Sequence, residues 1–84
     1  MIVSKDGYTL TADLHGMQAA EAKTALEHLI SSADKSITEI TVIHGYVGGQ
    51  ALKNMVRKKL SHPRIKQKIL SMNQGETSLM IQER

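Results

Sequence analysis

The sequence contains no cysteine, which excludes a disulfide framework and a cysteine-ligated zinc site. It has no phenylalanine or tryptophan and only two tyrosines, Tyr8 and Tyr46. The core therefore has to be aliphatic, and the aromatic platforms on which many single-strand binders stack bases are missing. No apolar run approaches the ~18 residues of a membrane-spanning helix, and the N-terminus lacks the pattern of a signal peptide. These absences predict a cytoplasmic protein with no membrane partner.

The length and the charge distribution point to one small domain with a basic second half. The 84 residues suffice for a single domain, residues 1–84. Residues 1–42 carry three lysines against six acidic residues, net −3, whereas residues 43–84 carry eight cations against two acidic residues, net +6. Seven of these cations fall between residues 53 and 68 with no acid among them. Such a stretch attracts polyanions, although a solvated helix face has the same composition.

Hydrophobic periodicity predicts six elements in the order β-α-β-α-β-β. The predicted bounds are, in chain order, 8–14, 18–32, 37–43, 50–60, 64–70 and 77–82. Residues 1–8 are expected to be an N-terminal extension or a short strand, since Lys5-Asp6-Gly7 suits a hairpin turn. Two βα units in series predict an α/β fold of the α+β two-layer sandwich type, with a mixed four-stranded sheet and two helices.

Two histidines stand at equivalent positions, each after a predicted strand and before a glycine. Asp13 and His15 end the first strand and lead to Gly16, and His44 ends the second and leads to Gly45. Because the carboxyl ends of parallel strands share one edge of a sheet, we expect Asp13, His15 and His44 to meet there. One histidine as base, another as acid and a carboxylate to orient an imidazole suit phosphodiester cleavage. These three are the candidate catalytic residues.

Two alternatives to a catalytic role for Asp13, His15 and His44 stay open. A histidine at a strand end is often an ordinary polar residue, and a His/His/Asp set can bind a metal, although the sequence offers no fourth ligand. No metal ligand is assigned for this reason. A divalent cation stays open as a cofactor, and cleavage of RNA through its own 2′-hydroxyl needs none.

Glycines and cations near these strand ends are candidates for contacts to a sugar-phosphate chain. Glycine lets the backbone approach a ligand closely, and helix N-termini offer N–H groups to phosphate. Lys53 and Arg57 lie one helical turn apart beside Lys58, and Arg64 and Lys66 come later in the basic stretch. The candidate nucleic-acid contacts are Gly16, Gly45, Gly48, Gly49, Lys53, Arg57, Lys58, Arg64 and Lys66.

Four motifs in this order resemble those of the Smr (small MutS-related) domain family, over about residues 9–82. Residues 12–16, ADLHG, are similar to the family's Leu-Asp-Leu-His-Gly element. Residues 44–53, HGYVGGQALK, are similar to its His-Gly-x-Gly-x-Gly-x-Leu-Arg element, with one additional loop residue. Residues 62–65, HPRI, and residues 75–77, GET, are similar to its His-Pro-Arg-Val and Gly-x-Thr segments.

The resemblance implies a stand-alone bacterial Smr domain with a β-α-β-α-β-β fold similar to the C-terminal domain of bacterial translation initiation factor three. It also implies nucleic-acid binding with endonuclease or nicking activity, since some members cleave mRNA on stalled ribosomes and others act on branched or duplex DNA. The motif residues carried over are Asp13, His15, His44 and Gly45. The expected partners are RNA or DNA, with the ribosome as one setting. The alternative is a non-catalytic nucleic-acid or ribosome-binding module on the same surface, and a protein adaptor is disfavoured by the basic half.

Overall fold

The computed structural model describes residues 1–45 and 50–83, which form one mixed sheet with its helices packed on one face. The strands, in chain order, are β1 (Ile2–Asp6), β2 (Thr9–Asp13), β3 (Glu39–Ile43), β4 (Ile65–Leu70) and β5 (Glu76–Ile81). Helix α1 (Ala19–Ser32) connects β2 to β3. Helix α2 is α-helical over Gln50–Asn54 and π-helical over Met55–Lys59.

Within the described residues the strands are ordered β1-β2-β3-β5-β4 across the sheet. β2 and β3 are parallel, and the other neighbouring pairs are antiparallel. In register, Asp13 faces Ile43, and Ile43 faces Glu76. These three residues mark the edge of the sheet that we call the carboxyl edge, after the ends of β2 and β3. Ile65 and Ile81 pair at the other end, the amino edge.

The period-2 pattern of the central strands decides which face is buried. One face supplies Leu10, Ala12 and Leu14, Ile40 and Val42, and Leu79 and Ile81, all of them buried. The helices cover this face with the apolar stripe of α1, from Ala22 through Leu26 to Ile30, and with Leu52, Met55, Val56 and Leu60 from the α2 region. The reverse face, which we call the open face, carries half-exposed residues such as Thr11, Thr41 and Ser78. The predicted two-layer α+β fold is confirmed.

The predicted count of four strands is wrong, because residues 2–6 add a fifth strand at one side of the sheet. Gly7 makes the turn between β1 and β2 with φ of +62°, a conformation that favours glycine. All residues of β1 are exposed. Its sequence therefore lacks the alternation of apolar and polar residues that predicts a half-buried strand. Residues 46–49, which include the candidate contacts Gly48 and Gly49, lie outside the described residues. None of the helices in residues 1–45 and 50–83 is long and apolar enough to cross a membrane.

Candidate nucleic-acid interface

The ends of β2 and β3 lie side by side at the carboxyl edge. Their ladder continues past the last paired residues, since the Leu14 N–H donates to the Ile43 carbonyl at 2.9 Å. The backbones of Asp13, His15 and His44 therefore all lie at or next to this edge. Their side chains, however, leave the sheet in different directions.

Asp13 and His15 form a tight turn on the solvent side of the carboxyl edge. The His15 backbone N–H donates to Asp13 Oδ1 at 2.9 Å, an Asx-type turn that fixes the carboxylate. Gly16 follows at φ +80°, and an added Cβ would meet nothing within 4 Å, so conformation rather than space favours glycine there. The turn leaves the His15 side chain exposed and Asp13 half-exposed. An accessible imidazole and a carboxylate thus share one short loop.

His44 faces the opposite way, into the helix-covered layer, and is only 3% exposed. It continues the inward positions of Ile40 and Val42, whereas Asp13 shares the open face with Thr11. The three candidate side chains therefore do not meet as expected. Successive residues of a strand point to opposite faces, and His44 continues the inward positions of β3 whereas Asp13 takes an outward position of β2. Asp13 and His15 stay together, and the ring of His44 lies on the other side of the sheet.

A chain of hydrogen bonds holds the His44 ring from both sides. Nδ1 lies 3.0 Å from the Gly45 carbonyl oxygen, and Nε2 lies 2.9 Å from Thr77 Oγ1. A carbonyl only accepts, so Nδ1 carries the proton and donates it. Arg57 Nε, which only donates, reaches the same Thr77 hydroxyl at 2.8 Å. The Thr77 hydroxyl therefore accepts from Arg57 and donates to Nε2 of a neutral His44.

The surroundings of His44 favour this neutral form. Burial lowers the pKa of His44 below its ordinary value of 6.5, because an imidazolium loses solvation there. The hydrogen bond to the Gly45 carbonyl opposes part of this effect, Arg57 and Lys53 lower the pKa further, and the Glu76 carboxylate raises it by the smallest amount. His44 is thus a neutral ring with both nitrogens occupied, and it is not poised to exchange a proton with a bound ligand.

Gly45 is fixed by the same contacts. Its N–H donates to the Gly75 carbonyl at 3.1 Å, beside the His44 N–H, which donates to the same oxygen at 2.9 Å. Its own carbonyl accepts from the His44 ring. Its φ is +83°, and an added Cβ would meet nothing within 4 Å. Gly45 can approach a ligand closely, but its N–H is not directed at one.

Thr77 and Arg57 have roles that the sequence interpretation missed. Thr77 is fully buried, and the sequence analysis placed it in the last strand without assigning its hydroxyl a role. Its spacing from Leu79 and Ile81 would have placed it on the inner face beside His44. We expected Arg57 to bind phosphate, but it reaches inward and also donates from Nη2 to the Glu76 carbonyl at 3.0 Å. Arg57 thus ties α2 to β5.

Arg64, which we expected to contact nucleic acid, is instead buried inside the protein. Its side chain is 4% exposed, and Nη1 donates to the carbonyls of Ile30 and Ala33, both at 2.7 Å. Nε donates to the Gln82 carbonyl at 3.1 Å. The last turn of α1 has no basic residue of its own, so Arg64 supplies the positive charge that the C-terminus of a helix favours. Arg64 is a buried cap at the amino edge.

Lys66 also lies far from the carboxyl edge. It belongs to β4 next to Ile65, which pairs with Ile81 at the amino edge. From Ile81 to Thr77 is four strand residues, about 13 Å at ~3.3 Å per residue. Lys66 therefore cannot touch the phosphate that Asp13 and His15 would reach, although it is exposed.

Three of the accessible cations lie on α2. Lys53 is half-exposed, and Lys58 and Lys59 are exposed. Lys59 also lines a groove of about 390 Å³ between the first turns of α1 and the length of α2 from Ala51 to Lys59, with Lys23 on the facing wall. Lys23 pairs with Glu27 at 2.9 Å. Lys53, Lys58 and Lys59 define what we call the cationic helix surface, and Lys53 is near enough to the carboxyl edge to act on the charge of His44.

The open face of the sheet has the opposite charge. It carries the carboxylates of Asp6, Asp13, Glu39 and Glu76. β2, β3 and β5 contain no lysine or arginine, and the exposed Lys5 and Lys66 lie on the outer strands β1 and β4. A polyanion is therefore repelled from the centre of the open face.

Comparison with known protein families finds the family that the sequence motifs resemble. The model of the Smr domain matches residues 12–78, from the middle of β2 to β5. The chain belongs to the Smr family. No curated protein and no solved structure matches it. Membership in this family indicates a nucleic-acid-related function. In the part of this Smr domain that the structure describes, no three His, Asp or Glu residues form a group able to hold a metal ion.

Proposed function

We propose that this Smr domain binds RNA or DNA along the cationic helix surface and nicks it at the carboxyl edge, with His15 and Asp13 at the reacting phosphate. The observation that carries the proposal is the Asp13–His15 turn, which presents an exposed imidazole beside a half-exposed carboxylate. The other candidate contacts are Gly16 and Gly45, which lie on the same edge. Gly48 and Gly49 lie outside the described residues and enter only through the motif resemblance.

The chemistry requires one group that exchanges a proton with an oxygen of the reacting phosphodiester. An exposed imidazole can act as a general base or a general acid and suits this task. On RNA, His15 takes the proton of the 2′-hydroxyl as that oxygen attacks phosphorus, the bond to the 5′-oxygen breaks, and the leaving oxygen is protonated by solvent. On DNA a water molecule takes the place of the 2′-hydroxyl. Asp13 accepts the hydrogen bond of the His15 backbone N–H and so keeps the turn in place.

Charge determines the direction from which the nucleic acid approaches. Lys53 and Lys58 attract the backbone toward α2, and the carboxylates of the open face repel it. The strand therefore crosses the carboxyl edge from the helix side and passes over His15. A ribosomal RNA in the cytoplasm is one polyanion that fits this surface, as the family resemblance implies.

The test is a cleavage assay on single-stranded RNA, duplex DNA and branched DNA with wild type, His15→Ala and His28→Ala. His28 is an exposed histidine on α1, away from the carboxyl edge, and serves as the matched control. We expect His15→Ala to lower the cleavage rate by about 10² or more while affinity is kept, and His28→Ala to match wild type. Equal cleavage by wild type and His15→Ala would refute the catalytic assignment.

A second function has its own supporting observation. His44 is buried with both ring nitrogens occupied, so one of the expected catalytic groups is not accessible. This favours a non-catalytic nucleic-acid-binding module on the same surface. Binding by wild type to all three substrates without any cleavage, over a range of divalent cations and pH, would decide for this second function.

A further inference from the structure

We propose that Arg57 and Thr77 are positioning residues of the nucleic-acid site, which hold His44 in the one tautomer that clamps Gly45 at the carboxyl edge. The inference rests on the proposed function for its effect on binding. Its structural part stands on the hydrogen bonds alone and is tested without nucleic acid.

The contacts form one directed chain across three elements. Arg57 on α2 donates to Thr77 on β5 at 2.8 Å, and the Thr77 hydroxyl is 2.9 Å from His44 Nε2 at the end of β3. The opposite ring nitrogen donates to the Gly45 carbonyl at 3.0 Å. The two ends of the chain fix its direction, because Arg57 can only donate and the Gly45 carbonyl can only accept.

The tautomer matters because the other one would break the chain at both ends. With the proton on Nε2, two donors, Arg57 and His44, would face the Thr77 oxygen, and its own proton would lose its acceptor. Nδ1 would then present a lone pair to the Gly45 carbonyl, which repels it. Among the described residues, Gly45 would then keep only the bond from its N–H to the Gly75 carbonyl.

The clamp acts where the chain leaves β3 for α2. Gly45 lies directly beside the Asp13–His15 turn, since Leu14 pairs with Ile43 there. Arg57 also binds the Glu76 carbonyl and thereby joins the start of β5 to α2. The cationic helix surface and the carboxyl edge are thus held in one relative position, which a ligand that touches both requires.

The experiment compares Thr77→Val, Thr77→Ser and Thr41→Val. Valine has the shape of threonine without the hydroxyl, serine restores the hydroxyl, and Thr41→Val makes the same change on the open face, where the hydroxyl only reaches Glu39. The ring ¹⁵N signals of His44 report which nitrogen carries the proton. Fluorescence anisotropy with a labelled single-stranded RNA and a duplex DNA reports affinity.

We expect wild type, Thr77→Ser and Thr41→Val to show a protonated Nδ1 and an unprotonated Nε2. Thr77→Val should show mixed tautomers, a shifted Gly45 amide signal and an affinity lower by about tenfold, the effect of losing one anchoring interaction. Because Thr77 is fully buried, Arg57→Gln is the second variant if Thr77→Val does not fold, with the same expected changes. Unchanged His44 and Gly45 signals in the folded variant would overturn the proposal, and so would changed signals with unchanged affinity.

The two proposals fail in different ways. If wild type binds neither nucleic acid, the proposed function is refuted and the positioning role falls with it, whatever the ring signals show. If wild type binds and Thr77→Val binds equally well, only the positioning role is refuted. A rescue by Thr77→Ser but not by Thr41→Val supports a role of this one hydroxyl.

Discussion

Replacement of Arg64 by methionine should destabilise the fold far more than it weakens nucleic-acid binding. Arg64 is 4% exposed and donates three hydrogen bonds to carbonyls, two of which belong to the end of α1. Methionine keeps much of the apolar stem and removes the guanidinium. The perturbation therefore isolates the cap that Arg64 makes on α1.

The expected loss follows from these three bonds. At ~1.5 kcal/mol for a hydrogen bond from a charged donor, they amount to about 4–5 kcal/mol. The guanidinium no longer has to be desolvated, which returns part of that energy, so we expect a net loss of about 3–4 kcal/mol. A domain of this size is stable by about 4–12 kcal/mol, so the loss removes a large share of its stability.

Urea denaturation followed by circular dichroism measures the effect, with Lys66→Met as the matched control. Lys66 is an exposed cation two residues further along, so its replacement should cost less than about 0.5 kcal/mol. With an m-value of about 1 kcal/mol/M, Arg64→Met should lower the midpoint by about 3 M. Arg64→Lys, which keeps the charge but not the geometry, should lie between wild type and Arg64→Met. Equal stability of Arg64→Met and Lys66→Met, with a large loss of affinity in Arg64→Met alone, would refute the cap.

Two further predictions concern the carboxyl edge. Burial holds the pKa of His44 below 6.5, so unfolding takes up a proton there; stability should fall as pH drops below about 6.5. The urea midpoint of wild type should show this slope and that of His44→Gln should show less; equal slopes would contradict it. Gly16→Ala and Gly45→Ala should each cost about 1–2 kcal/mol through backbone strain alone, since neither Cβ meets an obstacle. Urea denaturation checks both, and a cost near zero would contradict the positive φ at that glycine.

The sequence predicted the fold well where burial alternates along a strand. The inward series Leu10, Ala12 and Leu14 follows from the pattern, and the same holds for Ile40 and Val42 of β3. For residues 1–8 the sequence left an extension and a short strand open, because β1 is exposed on every residue and is held by backbone pairing with β2 rather than by an apolar face.

The side chains of the candidate site were harder to predict, for a physical reason that differs from residue to residue. The motifs located Asp13, His15 and His44 at one edge, but the period of two sends His44 inward with Val42 and leaves Asp13 outside. That parity was readable from the sequence. The burial of Arg64 was not, because its partners are backbone carbonyls on α1 and just after β5, which composition does not reveal.

Nucleic-acid affinity of two matched charge reversals tests the central claim most directly. Lys53→Glu with Lys58→Glu alters the cationic helix surface, and Lys5→Glu with Lys35→Glu makes the same charge change away from it, on β1 and after α1. Anisotropy with a labelled RNA, from low to high salt, should show the first pair at least about tenfold weaker and with a salt slope smaller by about 2. The second pair should stay within about twofold of wild type. Equal losses in both pairs would mean that only net charge attracts the RNA, and the proposed surface would be wrong.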